Sequence, residues 1–184
     1  MLLLGCKPKG RNTEQHDVFF GIGESLKDLI PAINAFWPEA EGKIHIDAWR
    51  EVFAVDTNRV RVCRRGFDLD MRESQKMNKL FFVNLGGYKK DIFDEFHYKM
   101  LIVAHDISSA ISQAKETAFF QYTGFAGAPS HVDDKYGLDV DDVCPVEDLL
   151  TEEMKKEWKL VINNNVQVTP DSIHLGYLKL SKIE

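Results

Sequence analysis

The chain has 184 residues, 44% of them apolar, with 23 Lys and Arg against 29 Asp and Glu for a net charge of −6. That apolar share supports a packed core and excludes a disordered chain, and no apolar run approaches the ~20 residues of a membrane-spanning helix. The acidic balance excludes nucleic acid as the expected partner, because neutralising phosphates takes a basic surface.

In chain order, Leu2–Gly5 reads as a buried strand. Leu3-Leu4-Gly5-Cys6 imitates the end of a lipoprotein signal, but no basic residue precedes it and the apolar stretch falls short of the ~7–15 residues a signal needs. Cys6 is therefore read as incidental. A polar loop with Lys7 and Lys9 leads through Glu14 and His16 into a second strand, Asp17–Ile22. Ser25 caps a helix whose apolar residues Leu26, Leu29, Ile30, Ile33 and Phe36 follow the helical period, and Pro38 stops it. Lys43–Ala54 and Arg59–Arg64 then read as a hairpin around Asp56-Thr57-Asn58.

The charged segment Gly66–Lys79 connects to a second half. There Leu80–Leu85 and Tyr98–Ala104 read as strands. A helix starts at Asp106, with Ile107, Ala110, Ile111, Ala114 and Ala118 inward, and ends near Tyr122. The acidic stretch Asp133–Glu153 fails the EF-hand pattern, since Val143 and Cys144 fall at the fifth and sixth positions counted from Asp139. It reads as a solvated edge. A short helix, Val146–Trp158, precedes a last hairpin of Lys159–Asn163 with Ser172–Ser181.

The halves echo each other. Moving the chain by 81 positions lays Leu4-Gly5 on Leu85-Gly86, Lys9 on Lys90, Glu14 on Glu95, His16 on His97 and Ile30 on Ile111. A shift of 86 then lays His45-Ile46-Asp47 on His131-Val132-Asp133. The expected fold class is α+β: two tandem duplicated β-β-α-β-β units, each a small antiparallel sheet covered by a helix, packed about a pseudo-twofold axis. The expected boundaries are residues 1–65 and 80–184, joined by a linker at 66–79, with the inserted helix at about 146–158 in the second unit. Such an arrangement is also compatible with a homodimer.

Four of the six histidines, His16, His45, His97 and His131, occupy paired positions, each two residues from a carboxylate: Glu14, Asp47, Glu95 and Asp133. Residues i and i+2 of a strand share a face about 7 Å apart. If their strands are neighbours, each unit gathers two imidazoles and two carboxylates. That set suits a divalent metal (Zn, Mn or Fe), with His16, His45, His97 and His131 as its nitrogen ligands, and equally a general acid–base pair. It also suits a histidine that a carboxylate merely fixes in a sheet. His105 and His174 have no repeat partner. The lysine loops, with Lys7, Lys9, Lys89 and Lys90, lack the phosphate-loop spacing and read as solvated turns. Cys6, Cys63 and Cys144 form no C-x-x-C, which argues against a disulfide framework and fits a cytoplasmic protein.

The stretches LGCKPKGRNTEQHDVFFGIGESL, KIHIDAW, LGGYKKDIFDEFHYKMLIVA and HVDDKYGLDVDD resemble the bacterial family called domain of unknown function 1543, in a two-copy form. Glu14, His16, Asp17, His45, Asp47 and Trp49 match its pattern in the first copy, and Glu95, His97, His131 and Asp133 in the second. Tyr98 and Lys135 depart from it where the first copy has Asp17 and Trp49. The resemblance implies no established activity. The functional expectation is a binding or interaction protein built from a duplicated domain, with a metal-dependent or acid–base hydrolase, phosphoesterase-like in one form, as the alternative.

Overall fold

The computed structural model describes residues 1–66, 78–88, 91–122, 138–164 and 166–183. Its strands are β1 (Leu2–Cys6), β2 (Gln15–Phe19), β3 (His45–Trp49), β4 (Ala54–Val55), β5 (Asn58–Arg64), β6 (Lys79–Tyr88), β7 (Glu95–Ala104), β8 (Leu138–Pro145), β9 (Trp158–Asn163) and β10 (His174–Lys179). The helices are α1 (Leu26–Phe36), α2 (Ile107–Tyr122) and α3 (Glu152–Glu157). The chain is mixed α and β with small antiparallel sheets, and it divides into two compact units, Met1–Phe67 with Leu149–Glu184, and Asp68–Asp148. Among the described residues no helix is long and apolar enough to cross a membrane.

The first unit holds a four-stranded sheet in the order β10-β3-β1-β2 and a three-stranded sheet in the order β4-β5-β9. Leu2, Leu4 and Cys6, alternate residues of the central strand β1, face a core completed by Phe19, Leu29, Ile33, Ile44, Ile46 and Leu180. The helix contributes Leu29 and Ile33 from one stripe, as the period required. Ser25 starts it with a capping box: its hydroxyl accepts from Asp28 N, and the Asp28 carboxylate accepts from Ser25 N at 2.9 Å. Phe36, half exposed, still meets Phe19 edge to face at 5.5 Å.

Three expectations for this part of the chain change. The expected hairpin Lys43–Ala54 with Arg59–Arg64 is split between sheets: β3 joins β1, and only β4 turns back on β5. Asp56 makes that tight turn with φ +52. The expected last hairpin does not form, because β9 pairs with β5 and β10 with β3. Residues Leu149–Glu184 therefore group with the first unit and not with residues 80–148. The reason is pairing capacity, since β3 and β5 each offer an open edge that a distant strand can fill. Finally, the expected helix Val146–Trp158 is a 3-10 turn, Val146–Leu149, followed by the separately capped α3, which Thr151 starts by accepting from Met154 N.

The second unit is a sheet in the order β7-β6-β8. Phe81, Val83 and Leu85 of β6 pack with Ile102, Ala104, Ala110 and Ala114, so α2 lies on this face through two fully buried alanines. Asp106 begins α2, its Oδ1 accepting from Ser109 N at 2.8 Å. Most of the expected linker, residues 67–77, lies outside the described residues, as do His131 and Asp133.

Candidate functional site

The site is built around Gly5. In the β1–β2 ladder Gly5 pairs with His16, and in the β1–β3 ladder the same glycine pairs with His45. Paired residues point to the same face, so both imidazoles rise from the face opposite the one that Leu4 and Cys6 give to the core. An ideal Cβ on Gly5 would fall 2.5 Å from Asp47 Oδ2 and closer still to His45 Nε2. The glycine is required for the space above it, which the site side chains fill.

Asp47 sits on this face at a β-bulge. Leu4 pairs with Ile46 and Leu3 with Ala48, so Asp47 is the extra residue of β3. The bulge also breaks the β3–β10 ladder, where Gly176 and Tyr177 lie opposite it between the pairs Leu175–Ala48 and Leu178–Ile46. Bulges re-aim side chains. Here the bulge keeps Asp47 with His45 and sends Trp49 to the core face, where it packs on the hydrophobic cluster and stacks on His174 at 3.9 Å. Tyr177 leans on the His45 ring at 4.3 Å.

Glu14, just before β2, closes the set. His45 Nε2 lies 3.1 Å from Glu14 Oε1 and 3.3 Å from Asp47 Oδ1. His16 Nε2 lies 3.3 Å from Asp47 Oδ2 and 3.9 Å from Glu14 Oε2. Each carboxylate therefore spans both imidazoles. The His45 side chain is 7% exposed, whereas His16 and Glu14 are each close to half exposed. Although it lies near His16, Asp47 Oδ2 is buried without a hydrogen-bond partner. Behind the sheet, burial pushes the Cys6 thiol up, and the Glu14 carboxylate adds to that shift.

Glu14, His16, His45 and Asp47, singled out from the sequence, are thus brought together. Asp17 is not. It pairs with Leu4, one residue out of phase with His16, and its Oδ1 accepts from Val18 N at 2.7 Å.

In the second unit Gly86 pairs with His97 as Gly5 pairs with His16, and His97 Nε2 lies 3.9 Å from Glu95 Oε2, matching the His16–Glu14 separation. The β6–β8 ladder gives the other half a different membership. Gly86 pairs with Asp139, Leu85 with Val140 and Asn84 with Asp142, so a bulge falls at Asp141. Asp139 thus stands opposite Gly86 as His45 stands opposite Gly5, and Asp141 is the extra residue of β8 as Asp47 is of β3; His131 and Asp133, the expected counterparts, lie outside the described residues.

Among the described residues, no group of three or more His, Cys, Asp and Glu side chains is placed so that it could hold a metal ion. The first-unit set is closed on itself instead. Three of its four imidazole–carboxylate contacts, at 3.1–3.3 Å, are nevertheless close to the edge of a ligand tetrahedron, about 3.3–3.4 Å for bonds of 2.0–2.1 Å.

The family model described as Domain of Unknown Function (DUF1543) matches residues 11–62, the family that the sequence resembles. The match contains Glu14, His16, His45 and Asp47. No curated protein matches the chain. Among solved structures, the chain is similar to the crystal structure of a protein Il1583 from Idiomarina loihiensis, at 20% identity and a TM-score of 0.62 over 97% of this chain and 94% of that one. At that identity the likeness is one of fold.

Proposed function

We propose, on the premise that residues 11–62 form a DUF1543 domain, that the first unit binds one divalent transition metal and uses it for hydrolytic chemistry. His16, His45 and Asp47 would hold the ion, and Glu14 would act on water beside it. The observation that carries this reading is the convergence of both Nε2 atoms and both carboxylates above Gly5. Asp47 is assigned as the ligand because it sits evenly between the imidazoles, at 3.3 Å from each, and is the more buried carboxylate. Glu14 is longer, more exposed and unevenly placed, which suits a base that must reach a water. Two imidazoles and one carboxylate leave a coordination position open, as a Lewis-acid site for hydrolysis requires.

The alternative is an interaction module in which these residues only hold the sheet. Two observations favour the metal site. A sheet-fixing histidine would be expected to donate to its carboxylate, yet Asp47 Oδ2 is buried without a hydrogen bond although His16 Nε2 stands 3.3 Å away. Half of the set, moreover, faces solvent, where an ion pair contributes little to stability.

The same reading treats the second unit as a copy of the first, supported by the matched Gly–His registers and by bulges at equivalent places. With Asp139 where the first unit has His45, the second unit is expected to have lost the two-imidazole site. Elemental analysis of the purified full chain tests the proposal. It should find about one Zn, Mn or Fe per chain, lost in His16→Ala/His45→Ala. A metal-free folded chain that also takes up none of these ions on addition would overturn it.

A further inference from the structure

We infer that a second site, distinct from the His/carboxylate cluster, binds a small phosphate-type oxyanion between Arg59 and Arg61. Both lie on β5, two residues apart, and so project from one face about 7 Å apart. With Asn163 and Val166 the two exposed arginines line an open surface depression of ≈ 250 Å³. Asn163 pairs with Arg59 across the β5–β9 ladder, which puts its amide on the same face. Val166 closes the edge because its N–H donates to Thr57 O at 2.9 Å, drawing the chain after β9 back over the turn before β5.

The charge pattern here is unusual for this protein. Two like charges on one strand face repel, and the chain carries an excess of acid that could have relieved them. It does so nearby: Arg64 pairs with Glu157 at 2.8 Å, and Arg65 Nε donates to Lys155 O at 2.7 Å. Among the described residues, neither the Arg59 nor the Arg61 guanidinium has an ion-pair or hydrogen-bond partner. The residues opposite them are Ala54 and Asn163 for Arg59, and Val161 for Arg61, none of them acidic. Strand edges often carry such charges to block aggregation, but Arg59 is paired on both sides, by β4 and β9, and so is not on an edge. Paired guanidinium forks beside an amide donor match the acceptor geometry of a phosphate group, which accepts two parallel N–H bonds from each fork. The depression lies just below the usual ~300–1,000 Å³ of organic-ligand pockets, so it fits a phosphate or pyrophosphate group and not a bulky body.

Titration of inorganic pyrophosphate into the 15N-labelled full chain at constant ionic strength tests this, reading the amides of Arg59, Arg61, Asn163 and Val166. A saturable shift at these positions is expected, absent when chloride replaces pyrophosphate and lost in Arg59→Gln/Arg61→Gln. Arg59→Lys/Arg61→Lys keeps the charge but not the fork, and should weaken binding about tenfold while preserving the fold. Shifts that do not saturate, that follow ionic strength alone, or that persist at full affinity in the lysine variant would overturn the proposal.

Discussion

Gly5 pairs with His45 across the β1–β3 ladder, and the space that its missing side chain leaves is filled by the His45 ring and the Asp47 carboxylate. No positive φ imposes this glycine, so its requirement is one of space alone. Gly5→Ala should therefore be tolerated by the backbone and penalised by crowding. The expected cost is about 1–3 kcal/mol in urea unfolding, with loss of metal retention because both ligands are displaced. An alanine variant with full stability and full metal content would show that the ring and the carboxylate do not need this space.

His16 and His45 should separate stability from binding. His45 is buried beneath Tyr177, and His45→Ala is expected to destabilise the fold by about 2–3 kcal/mol. His16 is close to half exposed, so His16→Ala should change stability by less than about 1 kcal/mol. Each should nonetheless remove the metal. Denaturation curves and metal content measured on the same preparations check both halves of this statement.

The pairing of the site residues was legible because Glu14 with His16, and His45 with Asp47, keep a two-residue spacing that a strand converts into a shared face. The cap at Ser25 and the buried stripe of α1 were legible for the same local reason. Strand partners were not. Nothing near Trp158 or His174 states that these strands belong beside β5 and β3, because a backbone edge is open to any extended segment, and sequence spacing carries no record of the choice. Bulges were equally hidden: Asp47 and Asp141 are extra residues only relative to a partner strand. For that reason spacing alone did not single out Asp139, which lies opposite Gly86, or Asp141, which lies at the bulge.

That long-range pairing has a consequence for truncation. Removing Leu149–Glu184 strips β9 from β5 and β10 from β3, and removes Leu180 from the core. It also removes Asp171, whose carboxylate accepts from Phe53 N and Ala54 N at 3.1 Å. A chain ending at Asp148 should fail to unfold cooperatively in its first unit, and adding residues 149–184 in trans should restore the transition. Undiminished cooperativity in the truncated chain would contradict the observed strand order.

The thiols give a pH-dependent test. Burial raises both Cys6 and Cys144 above the ordinary value of 9.0, so the folded state holds these protons more tightly than the unfolded state. Their contribution to stability is thus complete below that value and declines as pH rises through it, since the unfolded chain releases the protons first. Urea midpoints measured from pH 7 to 10 should fall at the alkaline end, and less steeply in Cys6→Ala/Cys144→Ala. In the native chain Cys6, fully buried, should resist alkylation at neutral pH while the partly buried Cys63 reacts.

The central proposal is that His16, His45 and Asp47 hold one ion above Gly5 with Glu14 beside it, and calorimetric titration of zinc into the metal-stripped full chain tests it most directly. One equivalent should bind to the parent chain and none to His16→Ala/His45→Ala or Asp47→Asn. Glu14→Gln should still bind it, because Glu14 is assigned to water and not to the metal. Zinc binding that is absent from the parent chain, or unchanged in the double histidine variant, would contradict the account.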